Sequence, residues 1–488
     1  MNQQWLHARR VLGIFAGVLC ISSCKDATSS GGAGPDRGTL FAARSIALDI
    51  SDTTTLEIPL QAAGSAVPAD VSWRTSDSTV ATVSTNGVLK ARRAGNIVVY
   101  ARRGNATDST RLRVAASSPR AFSEIAVGTV HACARDVSGG AWCWGGSTFG
   151  ELGMAPRALG SYFVTPQRVN LPGAVVTLTT GTNHTCWLTD GGAVYCHGDN
   201  RLGQVTGAAG SSVLAPRQVP LPERISAIDA GGDQTCGLSV SGAVHCWGSG
   251  FTRFERATAP GGAAFTTLSV GVFHRCATTA QRDLYCWGQN SFGQLGVASA
   301  GGELRAPTLV PVRATSVSAG ATHTCAVTDT GSAFCWGYGG QGQLGTGSTA
   351  IIQPTPAAVV GTATFQSVAA GTEHTCALDR DGAAWCWGLD VRGGVGRGMI
   401  PNGNELLNDL IIPTPQRVAT ALRFRGIAVG AMMSTCAVTL AEQHAWCWGN
   451  NSSGVLGIGS RRRISAVLSF SSTVSPALVN TGAVGLSF

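Results

Sequence analysis

Lysine is almost absent from this 488-residue chain: Lys25 and Lys90 are the only two. Neither follows a Gly-rich loop, so a phosphate-cradling nucleotide loop is excluded. Charge of either sign is scarce, at 13%. The excess of 35 basic over 27 acidic residues, +8, is carried by scattered arginines and does not imply nucleic-acid binding. No apolar run approaches the roughly 18 residues of a membrane-spanning helix. The Gly-x-Ser-x-Gly elbow and the His-Glu-x-x-His zinc motif are both missing. Glycine, by contrast, is abundant at 65 residues, and hydrophobics reach 44%, which rules out a disordered chain. That balance predicts an all-β protein of many short strands joined by Gly turns.

The first 24 residues read as an export signal. Arg9 and Arg10 precede the apolar run Val11 to Ile21, too short to span a bilayer and of the length of a secretory core. The following Ile21-Ser22-Ser23-Cys24 resembles the bacterial lipobox, which implies cleavage before Cys24 and lipid on its sulfur. Residues 1–23 are then a lipoprotein signal peptide and 24–39, rich in Gly and Ser, a flexible linker. The mature chain is expected to be anchored to the membrane rather than to span it.

Residues 40–116 alternate polar and apolar, with strand-like runs Ser45–Ile50, Thr54–Leu60, Val71–Thr75, Val80–Val83 and Ile97–Arg102 punctuated by Gly, Asn and Pro. The stretch from Trp73 through Val80, Val83 and Asn86-Gly87 to Ala94-Gly95 resembles the bacterial immunoglobulin-like domain, group 2. That resemblance implies a β-sandwich serving as a spacer or adhesive module. Trp73 is expected to fill its core and Asn86-Gly87 to make a tight hairpin.

Residues 117–488 are one unit repeated seven times. Setting aside Cys20 and Cys24, fourteen of the sixteen cysteines form pairs: Cys133 with Cys143, Cys186 with Cys196, Cys236 with Cys246, Cys276 with Cys286, Cys325 with Cys335, Cys376 with Cys386, and Cys436 with Cys447. First members advance by 53, 50, 40, 49, 51 and 60 residues, a period that marks a repeat architecture. Between Cys325 and Cys335, two apolar runs flank Asp329-Thr330-Gly331, which is a hairpin with Gly at the left-handed position. The two cysteines are equidistant from Thr330 and so face each other, within easy reach of a disulfide. Export, even parity and repeated registry favour seven disulfides over buried free thiols. The spacing is too long for a zinc knuckle.

Other positions keep step. Gly precedes the first Cys by five residues in six repeats, with Ala431 in the seventh; His precedes it by two at His131, His184, His274, His323 and His374. Cys-Trp-Gly closes six units, through Trp144, Trp247, Trp287, Trp336, Trp387 and Trp448, with His197 in place of the Trp once. Gly293-Gln294-Leu295-Gly296 and Gly342-Gln343-Leu344-Gly345 follow, varied as Gly150-Glu151-Leu152-Gly153. This set resembles the regulator of chromosome condensation repeat, over about three quarters of the chain. The resemblance implies a seven-bladed β-propeller, each blade a four-stranded antiparallel sheet. Each repeat also tends to a Pro-x-x-Val strand, as at Pro166–Val169 and Pro356–Val359. The third repeat is short and lacks the Gly-Gln-Leu-Gly element, so its blade is expected to be trimmed or misregistered. The apolar segment Val484–Phe488 is expected to complete the first blade.

Five equivalent histidines serve the blades rather than one metal or catalytic site, and the recurring tryptophans pack blade against blade. Asp379-Arg380-Asp381-Gly382 lacks the downstream acid of a calcium loop and reads as a hairpin turn. No catalytic residue, metal site or cofactor is assigned. The expectation is a monomeric, non-catalytic binding protein of the cell envelope, periplasmic or extracellular, with a protein or glycan partner and no nucleic acid. Contact segments are expected at Met154–Tyr162, Gly207–Leu214, Ser249–Gly262, Ala298–Leu304 and Met399–Leu410. An inhibitor of an envelope enzyme and a polysaccharide-acting enzyme are the alternatives, and the family resemblance adds guanine-nucleotide exchange. If Cys24 carries lipid, radiolabelled palmitate enters the wild-type protein and not Cys24→Ala; equal labelling of both would overturn the assignment.

Overall fold

A computed structural model describes residues 45–50, 57–59, 71–85, 88–91, 95–104, 106–116, 120–154, 161–249, 254–398, 410–458 and 472–479. The signal peptide, Cys24, the linker, Asn86-Gly87 and Val484–Phe488 lie outside these residues. The chain divides into two compact units, the main body of the second being Arg113–Phe488.

Among the described residues before Phe122 there are seven strands in two sheets. One has the order Ser45–Ile50, Ala106–Ala116, Gly95–Arg103, Val71–Thr75; the other has the order Glu57–Pro59, Val88–Ala91, Ala81–Val83. Ala106–Ala116 and Val88–Ala91 fall outside the expected strands. The buried apolar residues here include Val71, Val80, Ala81, Ile97, Val99 and Ala101. Trp73 is only partly buried, so small and β-branched side chains, rather than the indole, fill this core.

Residues Phe122–Leu478 form seven four-stranded antiparallel sheets, each built from consecutive strands. A 3-10 turn, Pro260–Gly262, stands between the third and fourth blades. In the first blade the strands from channel to rim are Phe122–Val127, His131–Asp136, Ala141–Ser147 and Ser161–Val169. That blade is already four-stranded without Val484–Phe488. The third blade is trimmed but in register: its outermost strand is only Glu255–Ala257, yet Cys236 still faces Cys246. The Pro-x-x-Val segments lie on outermost strands. Proline has no N–H to offer there, which blunts an exposed sheet edge.

All seven cysteine pairs are directly opposed across the two middle strands and form disulfides, with Cα atoms 4.0–4.1 Å apart. Each disulfide packs into a core shared with the next blade, beneath one of that blade's tryptophans. Cys186–Cys196 lies with Trp247, and Cys236–Cys246 with Trp287. In the fourth blade Cys276 faces Cys286, and this disulfide lies with Trp336. The outermost strand there slips register just after Cys286, between Cys286 and Gly288, without disturbing the Cys276–Cys286 pairing on the other side. Cys325–Cys335 lies with Trp387, Cys376–Cys386 with Trp448, and Cys436–Cys447 with Trp144, closing the ring. By sequence the second blade lacks its indole, since His197 stands after Cys196. Trp187, on the neighbouring strand after Cys186, covers Cys133–Cys143 instead. Its Nε1–H donates to His197 Nε2 at 2.9 Å, so the histidine that displaced the Trp also anchors its replacement.

The Gly two residues after the second Cys has positive φ in all seven blades, from +94° to +114°. A Cβ there would press on the carbonyl of the residue just before the blade's second strand, for instance Thr322 O against Gly337 at 2.6 Å. Both the backbone conformation and the crowding demand glycine. Gly361 has φ +113° but nothing within 4 Å of its added Cβ. Gly337→Ala should therefore lower stability by roughly 2 kcal/mol or more beyond Gly361→Ala in denaturant melts; equal losses would show that the close approach contributes nothing.

Candidate functional site

In a four-stranded meander the first and third connections leave at one end of the sheet. The first connections surround the mouth of the axial channel, which is lined by Thr129, Gly181, Gly232, Gly271, Gly320 and Gly371 among others. Backbone bonds between neighbouring connections tie this rim together, from Thr129 N to Thr182 O, Thr182 N to Gly232 O, Val272 N to Gly320 O and Ala321 N to Gly371 O. The long third connections, including the Gly-Gln-Leu-Gly elements, therefore share the mouth end.

The histidines sit just behind this rim, fully buried. Each Nε2 meets a threonine of the next blade: His131 with Thr185, His184 with Thr235, His274 with Thr324, His323 with Thr375 and His374 with Thr435, at 2.6–3.0 Å. The single proton of each threonine hydroxyl is already donated to a loop carbonyl, of Glu151, Gln204, Gln294, Gln343 and Gly394 respectively. The imidazole must then donate from Nε2, and Nδ1 is left buried without a partner among the described residues. A second ring proton has nowhere to bond. Burial pushes the pKa of these histidines down, to about 3 for His131, His274 and His323 and about 4 for His184 and His374. They are neutral structural links between blades.

The same loop carbonyls receive the next blade's indole: Trp247 on Gln204 O, Trp336 on Gln294 O, Trp387 on Gln343 O and Trp448 on Gly394 O, at 2.9–3.0 Å. Each Gly-Gln-Leu-Gly turn is thus held by a Thr and a Trp from the next blade. The third blade departs as a set. It has no such turn, and at its junction with the fourth blade Gln234 stands in place of the histidine and the fourth blade's Arg275 in place of the threonine; the guanidinium donates to Gln234 Oε1 at 2.7 and 3.0 Å. In the seventh blade the first connection is one residue longer. Gly430, not Ala431, holds the equivalent position, its N–H bonding Ser434 O, and Met433 takes up the extra residue at φ +60°.

Glu151 stands where other turns have Gln. Its Oε2 accepts the N–H of Phe149 at 2.7 Å, as Gln294 and Gln343 Oε1 accept those of Phe292 and Gln341. Its Oε1 is buried without a partner among the described residues. Burial pushes its pKa up to about 7, with Asp199 adding to the rise against the N–H bonds of the turn.

Three expected contact segments are placed wholly or partly at the mouth end: Gly207–Leu214, Ala298–Leu304 and the described ends of Met154–Tyr162. Residues 399–409 of Met399–Leu410 lie outside the described residues. Ser249–Gly262 is corrected: it begins at the mouth end, runs through the outermost strand Glu255–Ala257 and finishes at the opposite end in Pro260–Gly262. The sequence reading missed the apolar side chains exposed at the mouth, Leu202, Phe273, Ile351, Ile352 and Met432. Tyr338 lies opposite Ile352 in register and 5.2 Å from the Phe292 ring, which makes a continuous apolar patch on the fourth and fifth blades. Asp379 shapes its hairpin turn by accepting the N–H groups of Asp381 and Ala383 and the Trp385 indole. Among the described residues no three His, Cys, Asp or Glu side chains are grouped to hold a metal ion, and no helix is long and apolar enough to cross a membrane.

The regulator of chromosome condensation (RCC1) repeat profile matches residues 283–327 and 330–378, and a second profile of the same repeat matches 265–294, 314–343 and 365–393. The chain carries RCC1 repeats. Human WBSCR16 is similar in structure at TM-score 0.59 and 20% identity, covering 70% of this chain and 94% of that one. Yeast RCC1 (Prp20) bound to Kap60 is similar at TM-score 0.60 and 19% identity, covering 75% and 86%. Prp20p of Saccharomyces cerevisiae, described with its binding to Gsp1p and histones, is similar at 0.59 and 19%, covering 75% and 88%. At these identities the likeness establishes the propeller fold. Seven disulfides fit an oxidising, exported location.

The two kinds of buried group give opposite pH dependences. A histidine whose pKa falls from 6.5 costs stability as pH drops below 6.5, by about 1.4 kcal/mol per pH unit per proton taken up on unfolding. Glu151, raised from 4.5 to about 7, costs stability as pH rises through that window. His323→Gln should flatten the fall in melting temperature between pH 6.5 and 4. Glu151→Gln should melt higher than wild type at pH 8 and converge with it at pH 4.5. A pH-independent difference in either variant would contradict these assignments.

Proposed function

We propose that this chain is an exported, non-catalytic binding protein that engages a protein partner through the channel-mouth end of its propeller, tethered to the envelope by lipid on Cys24. The observation that carries this is that Phe273, Ile351 and Ile352 are exposed on a rim whose backbone is fixed by hydrogen bonds between neighbouring blades. Phe273 is 41% and Ile351 62% exposed, and both stand on connections whose bases are clamped by the next blade. Exposed apolar side chains on a rigid rim mark protein–protein contact surfaces. The likeness to yeast RCC1, which was solved with a bound protein, supports a binding role for the fold. The immunoglobulin-like reading of the N-terminal unit makes it a spacer between the lipid and the propeller.

The test is capture of partners from the native envelope by the purified full-length protein. Phe273→Asp and Ile351→Asp at the mouth should each cut recovery of the specific partner at least tenfold, while Leu440→Asp, on a hairpin at the opposite end, should retain it. Loss confined to Leu440→Asp would move the binding face to the other end. Recovery of glycan instead of protein would replace the partner class, and capture of an enzyme that loses activity would make the chain an inhibitor.

A further inference from the structure

Two kinds of polar tie join neighbouring blades. The first is the His–Thr pair behind the rim, present between blades one and two, two and three, four and five, five and six, and six and seven, with Gln234 and Arg275 serving between three and four. The second lies along the innermost strands, where a side chain of one blade accepts a backbone N–H of the next. Thr179 accepts from Ala230, Asp229 from Val270, Ser269 from Ala319 and Ser318 from Ala370, at 2.7–3.0 Å. Between the first two blades, Thr177 donates to Glu124 at 2.7 Å in the same layer.

The junction of the seventh blade with the first has neither tie among the described residues. Ala132 stands where the other blades offer threonine, and Ser434 stands where they offer histidine. The Ser434 hydroxyl turns back to Asn450 O of its own blade at 2.9 Å. Ala428 occupies the innermost-strand position that Ser269 and Ser318 fill elsewhere. Nor do the described strands stitch the junction: the first blade is made wholly of residues 122–169, and the described strands of the seventh run from Phe424 to Leu478. What remains are contacts of kinds that other junctions also have. Phe122, Val127 and Trp144 pack on Cys436–Cys447, Val455 and Leu456, Trp144 Nε1–H donates to Val455 O, and Phe122 N–H to Gln443 O, both at 2.7 Å.

We infer that the native ring opens first at the junction of blades seven and one, before any other blade interface parts. Local opening draws on the least-tied contact in a structure, and here that contact is nearly all apolar packing. Parting the junction lifts Trp144 off Cys436–Cys447 while every other disulfide keeps its cover. The opening therefore has a chemical signature: one disulfide out of seven becomes accessible to reductant in an otherwise folded protein.

The experiment is brief exposure of the full-length protein to dithiothreitol under native conditions. The reagent supplies the two electrons and two protons that convert a disulfide to two thiols, which are then alkylated and mapped by mass spectrometry. Cys436 and Cys447 should label at least tenfold faster than Cys325 and Cys335. The double substitution Ala132→Thr with Ser434→His, which installs the missing pair, should abolish that lead. Hydrogen exchange of the unaltered protein gives a second readout, with Ala132–Ala134 and Thr435–Ala437 exchanging ahead of Thr324–Ala326. Uniform labelling of all seven pairs, a different disulfide leading, or faster exchange at the fifth blade would each overturn the inference.

Discussion

Each disulfide of the propeller lies under an indole supplied by the next blade, and the ring is a cycle of that one contact. A single four-stranded sheet with apolar side chains on both faces has no way to bury them alone. Stacking solves this only if neighbours fit, and the cysteine pair makes a flat, covalently fixed floor on which a Trp can lie. The tryptophans are 0–1% exposed and the cysteines 0–2%, so the contact is wholly removed from water. Burial on this scale is worth about 25 cal/mol per Å² of apolar surface, and it is collected seven times around the ring. The second blade shows how strongly the contact is required: when the usual Trp position holds His197, Trp187 reaches the same space from the adjacent strand.

Above this layer, hydrogen bonds set the mouth end. The His–Thr–carbonyl chain fixes the base of each Gly-Gln-Leu-Gly turn from the blade next door, and the Trp indole holds the same carbonyl. The turn is therefore rigid at its root whatever follows it in sequence, and the segment beyond can vary in length and chemistry without disturbing the blade. Such an arrangement suits a binding protein, in which a fixed scaffold presents changeable loops. The apolar patch of Phe292, Tyr338, Ile351 and Ile352 stands on roots of this kind.

Much of this is legible in the chain itself, because the repeat compares the protein with itself. The period near 50 residues, the register of the cysteine pairs and the glycine after Cys-Trp all report local geometry, and local geometry recurs in every blade. What escapes the sequence depends on contacts between blades. Nothing near Trp187 in sequence says that it substitutes for an indole ten positions away, and Gln234 reads as a lost histidine until Arg275, forty-one residues later, is seen to donate to its side chain across the junction. Counting back from Cys436 puts Ala431 in place of the usual Gly, because a count cannot detect an insertion absorbed by a left-handed Met433. Among the exposed apolar side chains at the mouth, Ile351 and Ile352 lie outside the repeated motifs, where no periodicity could flag them.

The pairing of disulfide with the neighbour's indole is tested most directly by double-mutant cycles on Cys325–Cys335. Replacing both cysteines by Ala should couple with Trp387→Phe, in the next blade, by about 1 kcal/mol or more in unfolding free energy. The same replacement should be additive with Trp336→Phe, which lies in the same blade but covers the preceding disulfide, Cys276–Cys286. Coupling to Trp336 instead of Trp387, or additivity with both, would contradict the account of how the ring is held.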